Sequence, residues 1–271
     1  MRTIVHLSDL HFGRLAAETV GPLIASVRGV TPDLVVLSGD LTQRARTAEF
    51  LDARRFMDAL PGPVLVVPGN HDVPLWNVAA RFVTPLHRYK RYITTDLSPF
   101  YRDDEVVVVG VNTARSLTWG EGRIALSDVD AIGQRLAAAP PSAVRIVVTH
   151  HPFDLPPGVG EQRLVGRAHA AMAQLAEAGA DLFLAGHLHI SHIGHSAERY
   201  RIAGHSALIV QAGTVSTRSR GEQPSFNVLR VQQSRISVAR FVWDPAGGVF
   251  AEAAAGVFRH GDAGWIAETE K

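Results

Sequence analysis

The stretch Leu34-Val35-Val36-Leu37-Ser38-Gly39-Asp40 carries the most structural information in the chain. Four consecutive apolar, β-favouring residues match a strand buried on both faces, as in the interior of an α/β sheet. The run ends in a glycine turn that delivers an aspartate, and a carboxylate with two oxygens can bridge two metal ions. Helical spacing flanks the strand. Leu15, Val20, Leu23, Ile24 and Val27 recur at helical intervals before Gly29, and Phe50, Leu51, Arg54 and Met57 do so between Thr47 and Leu60. Thr3 to Leu7 and Val64 to Val67 supply a strand before and a strand after. Strands separated by helices imply right-handed crossovers and a largely parallel sheet, with the strand exits along one edge.

Four further turns repeat this combination: Ser8-Asp9-Leu10-His11, Pro68-Gly69-Asn70-His71-Asp72, Thr149-His150-His151-Pro152 and Ala185-Gly186-His187-Leu188-His189. Each alone reads as ordinary turn or cap chemistry, in which Asp and Asn are common. Their shared placement is more informative, because open α/β sheets bind ligands beyond the carboxyl ends of their strands. Glycine precedes Asp40, Asn70 and His187, where a backbone without a Cβ turns sharply. His151, next to His150, is expected to point away, since adjacent residues leaving a strand face opposite ways. Asp72 reads as a cap or a partner of the site rather than a ligand, Arg14 as a surface residue, and His6 as a surface or packing residue.

The rest of the chain continues the alternation with one interruption. Residues 74–104 hold Trp76, Phe82, Tyr89, Tyr92, Phe100 and Tyr101 among Arg81, Arg88, Lys90 and Arg91, with weak helical spacing. This reads as an insertion, either a cap over a substrate pocket or a loop packing its aromatics on the body. Strands are expected at Glu105 to Val111, Arg145 to Val148 and Asp181 to Leu184, and helices at Ser127 to Ala139, with Ser127 as cap, and at Arg163 to Ala178. Ser206 to Val215, Phe226 to Val231 and Ile236 to Trp243 follow without helices and suggest antiparallel pairing around a turn near Gln232 to Arg235. Residues 251–271 give no clear pattern.

With 271 residues, 46% hydrophobic and 20% charged, the chain fits a single globular α/β domain spanning 1–271. A net charge of +1 provides no field for a polyanionic partner and no strong nucleic-acid signal. There is no apolar run long enough to span a bilayer and no leader-like start, so a cytoplasmic location is expected. The chain has no cysteine, so any metal must sit on histidine, carboxylate and amide. Such donors suit iron, manganese, zinc or cobalt, as divalent or mixed-valence ions.

The ordered series Asp-x-His, Gly-Asp, Gly-Asn-His, a lone His and Gly-His-x-His, across residues 9 to 189, resembles the calcineurin-like binuclear metallophosphoesterases. The resemblance implies two packed mixed β-sheets flanked by helices. It also implies one ion held by Asp9, His11, Asp40 and His189, a second held by Asp40, Asn70, His150 and His187, and His71 as the acid or phosphate-contacting residue. Two ions about 3.5 to 4 Å apart activate a shared, bridging hydroxide and clamp both oxygens of an in-line displacement at phosphorus. Because ligand histidines must be neutral, occupancy is expected to fall below about pH 6. The pattern most resembles the bacterial cyclic-nucleotide phosphodiesterase branch and implies a small phosphodiester substrate. Glycerophosphodiesterases and lipid A precursor (UDP-diacylglucosamine) pyrophosphatases are the nearest alternatives, ahead of a nuclease. A non-catalytic scaffold of this fold typically lacks one or more ligands, and here every ligand is present. The insertion and the segment from Ser206 onward are candidate surfaces for a homo-oligomer.

Overall fold

Alternation along the strands divides the core into three layers. In β1 (Arg2–Leu7) Ile4 faces one way and Val5 and Leu7 the other; in β2 (Leu34–Leu37) Leu34 and Val36 oppose Val35 and Leu37. The same split separates Val106 and Val108 from Val107 and Val109 in β5 (Val106–Gly110). Strands apolar on both faces must be covered on both. One set of side chains fills the space between two sheets, and the other two pack under helices. The computed structural model describes residues 1–271 except 76, 118–119, 201, 203 and 269–271, so Trp76 of the insertion lies outside the described residues.

The first sheet has seven strands. β1, β2 and β3 (Val64–Val66) run parallel, linked by α1 (Ala17–Gly29) and α2 (Thr47–Ala59). The second sheet has six: β4 (Phe100–Arg102), β5, β6 (Val144–Val148), β7 (Leu182–Ala185), β8 (His192–His195) and β9 (Leu208–Gln211). It is covered by α5 (Leu126–Ala137) and α6 (Ala168–Glu177), whose Val129, Ile132, Leu136, Met172 and Leu175 are buried. The result is a four-layer αββα sandwich.

The insertion divides its residues between two roles. α3 (Val78–Val83) leaves Val78, Phe82 and Val83 exposed, whereas α4 (His87–Tyr92) buries Tyr89 completely against the helical face of the first sheet. Tyr89 reaches the Val66 carbonyl through its hydroxyl, at 3.3 Å.

Several local expectations change. β9 pairs antiparallel with β8, its predecessor in the chain, but it also pairs parallel with β7 and so continues the parallel set of the second sheet. The antiparallel strands β10 (Ser225–Gln232) and β11 (Arg235–Asp244) instead extend the first sheet from the free edge of β1. The final residues form β12 (Val249–Gly261) and β13 (Gly264–Ala267), which carry that sheet outward. Only a few of their side chains, among them Phe250, Phe258 and Trp265, turn inward from an alanine-rich background, which hides the period of two. α5 starts at Leu126 after Ala125 with no side-chain cap, so Ser127 lies inside it. α6 starts at Ala168, leaving Arg163 in a short 3-10 turn before it.

Candidate metal centre

All five polar turns leave the carboxyl ends of parallel strands: β1, β2 and β3 of one sheet, β6 and β7 of the other. Turning most of these side chains inward costs backbone strain, though Asn70 and His150 avoid it. Asp9, His11, Asp40, His187 and His189 have φ of 54°, 45°, 53°, 74° and 58°, and they are five of the eight non-glycine residues with positive φ among the described residues. Each such residue costs of order 1 kcal/mol and persists only where its surroundings hold it, typically at functional sites. Close approach explains two of the glycines. A Cβ on Gly69 would lie 2.1 Å from Asp40 Oδ1, and one on Gly186 would lie 1.8 Å from Ser8 Oγ.

In the first donor cluster, His189 Nε2 is 3.1 Å from both His11 Nε2 and Asp9 Oδ1. Asp9 Oδ2 accepts from Ser8 Oγ and from the His187 amide at 2.6 and 2.9 Å, whereas the buried Oδ1 has no hydrogen-bond donor. In the second cluster, Asn70 Oδ1 is 3.1 Å from both His150 Nε2 and His187 Nδ1. Asp40 joins the two. Its Oδ1 accepts from the His71 amide at 2.8 Å, and its Oδ2 lies 3.7 Å from His11 Nε2 and 3.4 Å from His150 Nε2. Of the two Asp40 oxygens, Oδ2 is thus the one that faces imidazole nitrogens of both clusters.

These groups fit metal ions. Donors about 2.0–2.2 Å from an ion stand roughly 3 Å or a little more from one another, which matches the separations within each cluster. His189 Nδ1 donates to the Arg218 carbonyl and His150 Nδ1 to the Ser38 carbonyl, each at 2.8 Å, so both Nε2 lone pairs point inward. The orphaned Asp9 Oδ1 and the facing imidazole nitrogens of His11 and His189 are the arrangement a cation resolves. In its absence protons take its place. Burial pulls His150 down, but the Asp40 carboxylate outweighs it and raises the imidazole to about 9. His189 is likewise raised by Asp9 against burial. Burial, with the charge of His150, lowers His187 to about 3. The neighbouring carboxylates thus favour the protonated forms of His150 and His189, whereas burial favours the neutral form of His187.

A profile of the calcineurin-like phosphoesterase family matches residues 2–191, the stretch that contains all seven donor residues. The chain belongs to that family. Its members use a binuclear metal centre, and the two His/Asp donor clusters here are suited to hold one. Over 80 residues the chain is 34% identical to the glycerophosphodiester phosphodiesterase GpdQ of Enterobacter lignolyticus, a match covering 26% of this chain and 29% of that protein. Over 81 residues it is 27% identical to a probable cyclic nucleotide phosphodiesterase of Synechococcus sp., covering 27% and 32% respectively. These matches span less than a third of either relative's length. A dimetal phosphatase from Danio rerio shares the fold with a TM-score of 0.60 at 13% identity, over 88% of this chain and 95% of that one.

Around these clustered side chains lies a cavity of about 240 Å³ lined by Asp40, Asn70, His71, His187 and His189 and walled by Leu75, Arg81, Arg163, Arg218 and Arg220. Arg218 is the principal residue that the sequence reading missed. Its Nη1 lies 3.0 Å from His71 Nε2 and 3.3 Å from His11 Nε2. It follows β9, a further parallel strand whose exit also carries a glycine, in Ala212-Gly213-Thr214; the rule that found the other turns fails here because β9 reads as antiparallel from sequence. His71 Nδ1 donates to the Gln43 carbonyl at 2.8 Å, which leaves Nε2 facing the cavity.

Three other histidines and Asp72 also find their places. His151 does not turn away: its ring is 4.6 Å from that of His187, and Nδ1 is 2.8 Å from Thr113 Oγ1. The chain leaves extended geometry after β6, so strand alternation no longer applies. His6 is fully buried beside Ser38 Oγ, and burial lowers it to about 3. His192 pairs with Asp154 at 3.1 Å. Asp72 accepts from the amides of Leu41, Thr42 and Gly69 and ties the Asp40 turn to the Asn70 turn. Burial and the charge of Asp40 raise it to about 7.

Proposed function

We propose that this phosphoesterase hydrolyses phosphodiesters, with 3',5'-cyclic nucleotides as the principal class and other small diesters within its range. One observation carries the reading: the two donor clusters share Asp40 Oδ2 at the floor of a cavity whose wall sets the Arg218 guanidinium against His71. Asp9, His11, Asp40 and His189 would hold one ion, and Asp40, Asn70, His150 and His187 the other. When bound, such ions supply Lewis acidity at phosphorus and an activated water.

The chain's own residues account for the remaining steps. Arg218 offers hydrogen bonds to a non-bridging phosphate oxygen, where a charge-assisted bond is worth most. An anion there would also draw the guanidinium off His71 Nε2, the ring atom free to serve the leaving oxygen because Nδ1 is committed to Gln43. Leu75 and Arg81 at the start of the insertion form part of the wall, so the insertion acts there as a cap. The cavity is sized for a small molecule rather than a duplex groove.

A glycerophosphodiester substrate is the second reading, favoured by the 34% local identity to GpdQ. A panel of cyclic nucleotides, glycerophosphodiesters and bis(p-nitrophenyl) phosphate, assayed with defined metals, separates the two. Hydrolysis of the aryl diester should collapse in Asn70→Ala and in His71→Ala. Activity surviving both substitutions would remove the assigned site, and a consistent preference for monoesters would remove the diesterase reading.

A further inference from the structure

We infer that Arg163 and Arg220 form a second anion subsite at the cavity mouth, so that, among the other small diesters within its range, those carrying another anionic group besides the scissile phosphodiester are favoured. The inference rests on the phosphodiesterase reading above and narrows its substrate class.

Elsewhere on this surface, some arginines pair with carboxylates and others, such as Arg14, Arg44 and Arg102, do not among the described residues. Arg54 meets Asp58, Arg55 meets Asp52, Arg199 meets Asp154 and Glu161, Arg240 meets Glu222, and Arg235 and Arg259 meet Glu268. At the cavity three of the unpaired arginines share one lining. Arg163, Arg218 and Arg220 all line it, and none has a carboxylate partner among the described residues. The one carboxylate in the lining is Asp40, whose Oδ1 is taken by the His71 amide and whose Oδ2 faces the donor clusters.

Three cations without a carboxylate partner among the described residues thus share this opening. Arg218, deep beside His71, is positioned for the scissile group, which as a diester bears only one negative charge. Arg163 and Arg220 are exposed and come from separate loops, before α6 and after β9. Their planar guanidinium groups suit a phosphate or carboxylate on the alcohol part of the substrate. The same charges disfavour a leaving group with a fixed positive charge, such as a choline ester.

A matched pair of chromogenic esters tests this. The metal-loaded enzyme is assayed on thymidine 5'-(p-nitrophenyl phosphate) and on the same compound carrying a 3'-phosphate. Wild type should favour the 3'-phosphorylated ester by about tenfold in kcat/KM, the scale of one or two solvent-exposed charge-assisted contacts. In Arg163→Ala/Arg220→Ala the ratio should fall toward unity. Calorimetric binding of thymidine 3',5'-bisphosphate against thymidine 5'-monophosphate should show the same preference and the same loss, independently of turnover. A wild-type ratio of one or less, or a preference that the double variant keeps, overturns the subsite. If neither ester is cleaved, the phosphodiesterase reading falls, and the binding comparison alone decides the subsite.

Discussion

Replacing Asp40 by asparagine tests the shared donor most directly. The amide keeps the shape of the carboxylate, and its oxygen can still accept from the His71 amide as Oδ1 does. What changes is the atom facing both clusters, which becomes an NH₂ with no lone pair for an ion. A partner that only orients a ligand is worth roughly 10–100-fold in metal affinity; a direct donor serving two ions should exceed that at each, or about 10⁴-fold or more for loading the pair.

The proton balance shifts as well. His150 is raised to about 9 because Asp40 outweighs burial, an excess over the usual 6.5 equivalent to roughly 3 kcal/mol. Without that charge burial should prevail, and His150 should titrate below 6.5. Because its folded value lies above its unfolded one, the Asp40–His150 interaction stabilises the metal-free protein fully below pH 6.5, and this stabilisation is lost as pH rises through 9. Asp40→Asn should therefore destabilise the metal-free protein at pH 6 and much less at pH 10. Metal content after dialysis, competition titration, and histidine titration by NMR read these effects. Two ions per chain in Asp40→Asn, or equal losses in Asp40→Asn and His11→Gln, would refute the shared-donor geometry.

The remaining predictions are more local. Loading metal at pH 7.5 should release about one proton per chain, from His150; calorimetry in buffers of different ionisation enthalpy reads the number, and zero release would contradict the raised value. Arg218→Ala should lower kcat/KM for a phosphodiester roughly 10–100-fold, the equivalent of a hydrogen bond to a charged group, with Arg218→Lys intermediate; a change under about twofold would place Arg218 outside the reaction. Gly69→Ala should abolish metal loading, because its Cβ would collide with Asp40 Oδ1; equilibrium dialysis tests it, and retained stoichiometric metal would argue against so tight an approach. Trp265→Ala should cost about 3–5 kcal/mol in urea unfolding, since Trp265 is buried between the sheets and its Nε1 donates to Asp181 at 3.2 Å; a loss under about 1 kcal/mol would show that β13 adds little to the core.

The central strands and their turns were legible in the sequence for a local reason. Val35, Val36, Val107 and Val108 are apolar without interruption because both faces are buried, and Gly39, Gly69 and Gly186 sit where the chain must turn or another group must approach closely. Residue type, order and spacing are carried by the chain itself, so the seven candidate donors that the fold gathers and the α/β alternation could be read from it. Which strand pairs with which could not. β9 and β10 look alike in sequence, yet one lies parallel in the second sheet and the other antiparallel beside β1, because the choice depends on edges left open far away in the chain. Tertiary structure alone therefore decided that a single oxygen of Asp40 faces both clusters, that His151 stays near His187, and that Arg163, Arg218 and Arg220 meet over the donors. Each of these depends on distances between loops whose separation in sequence says nothing about their separation in space.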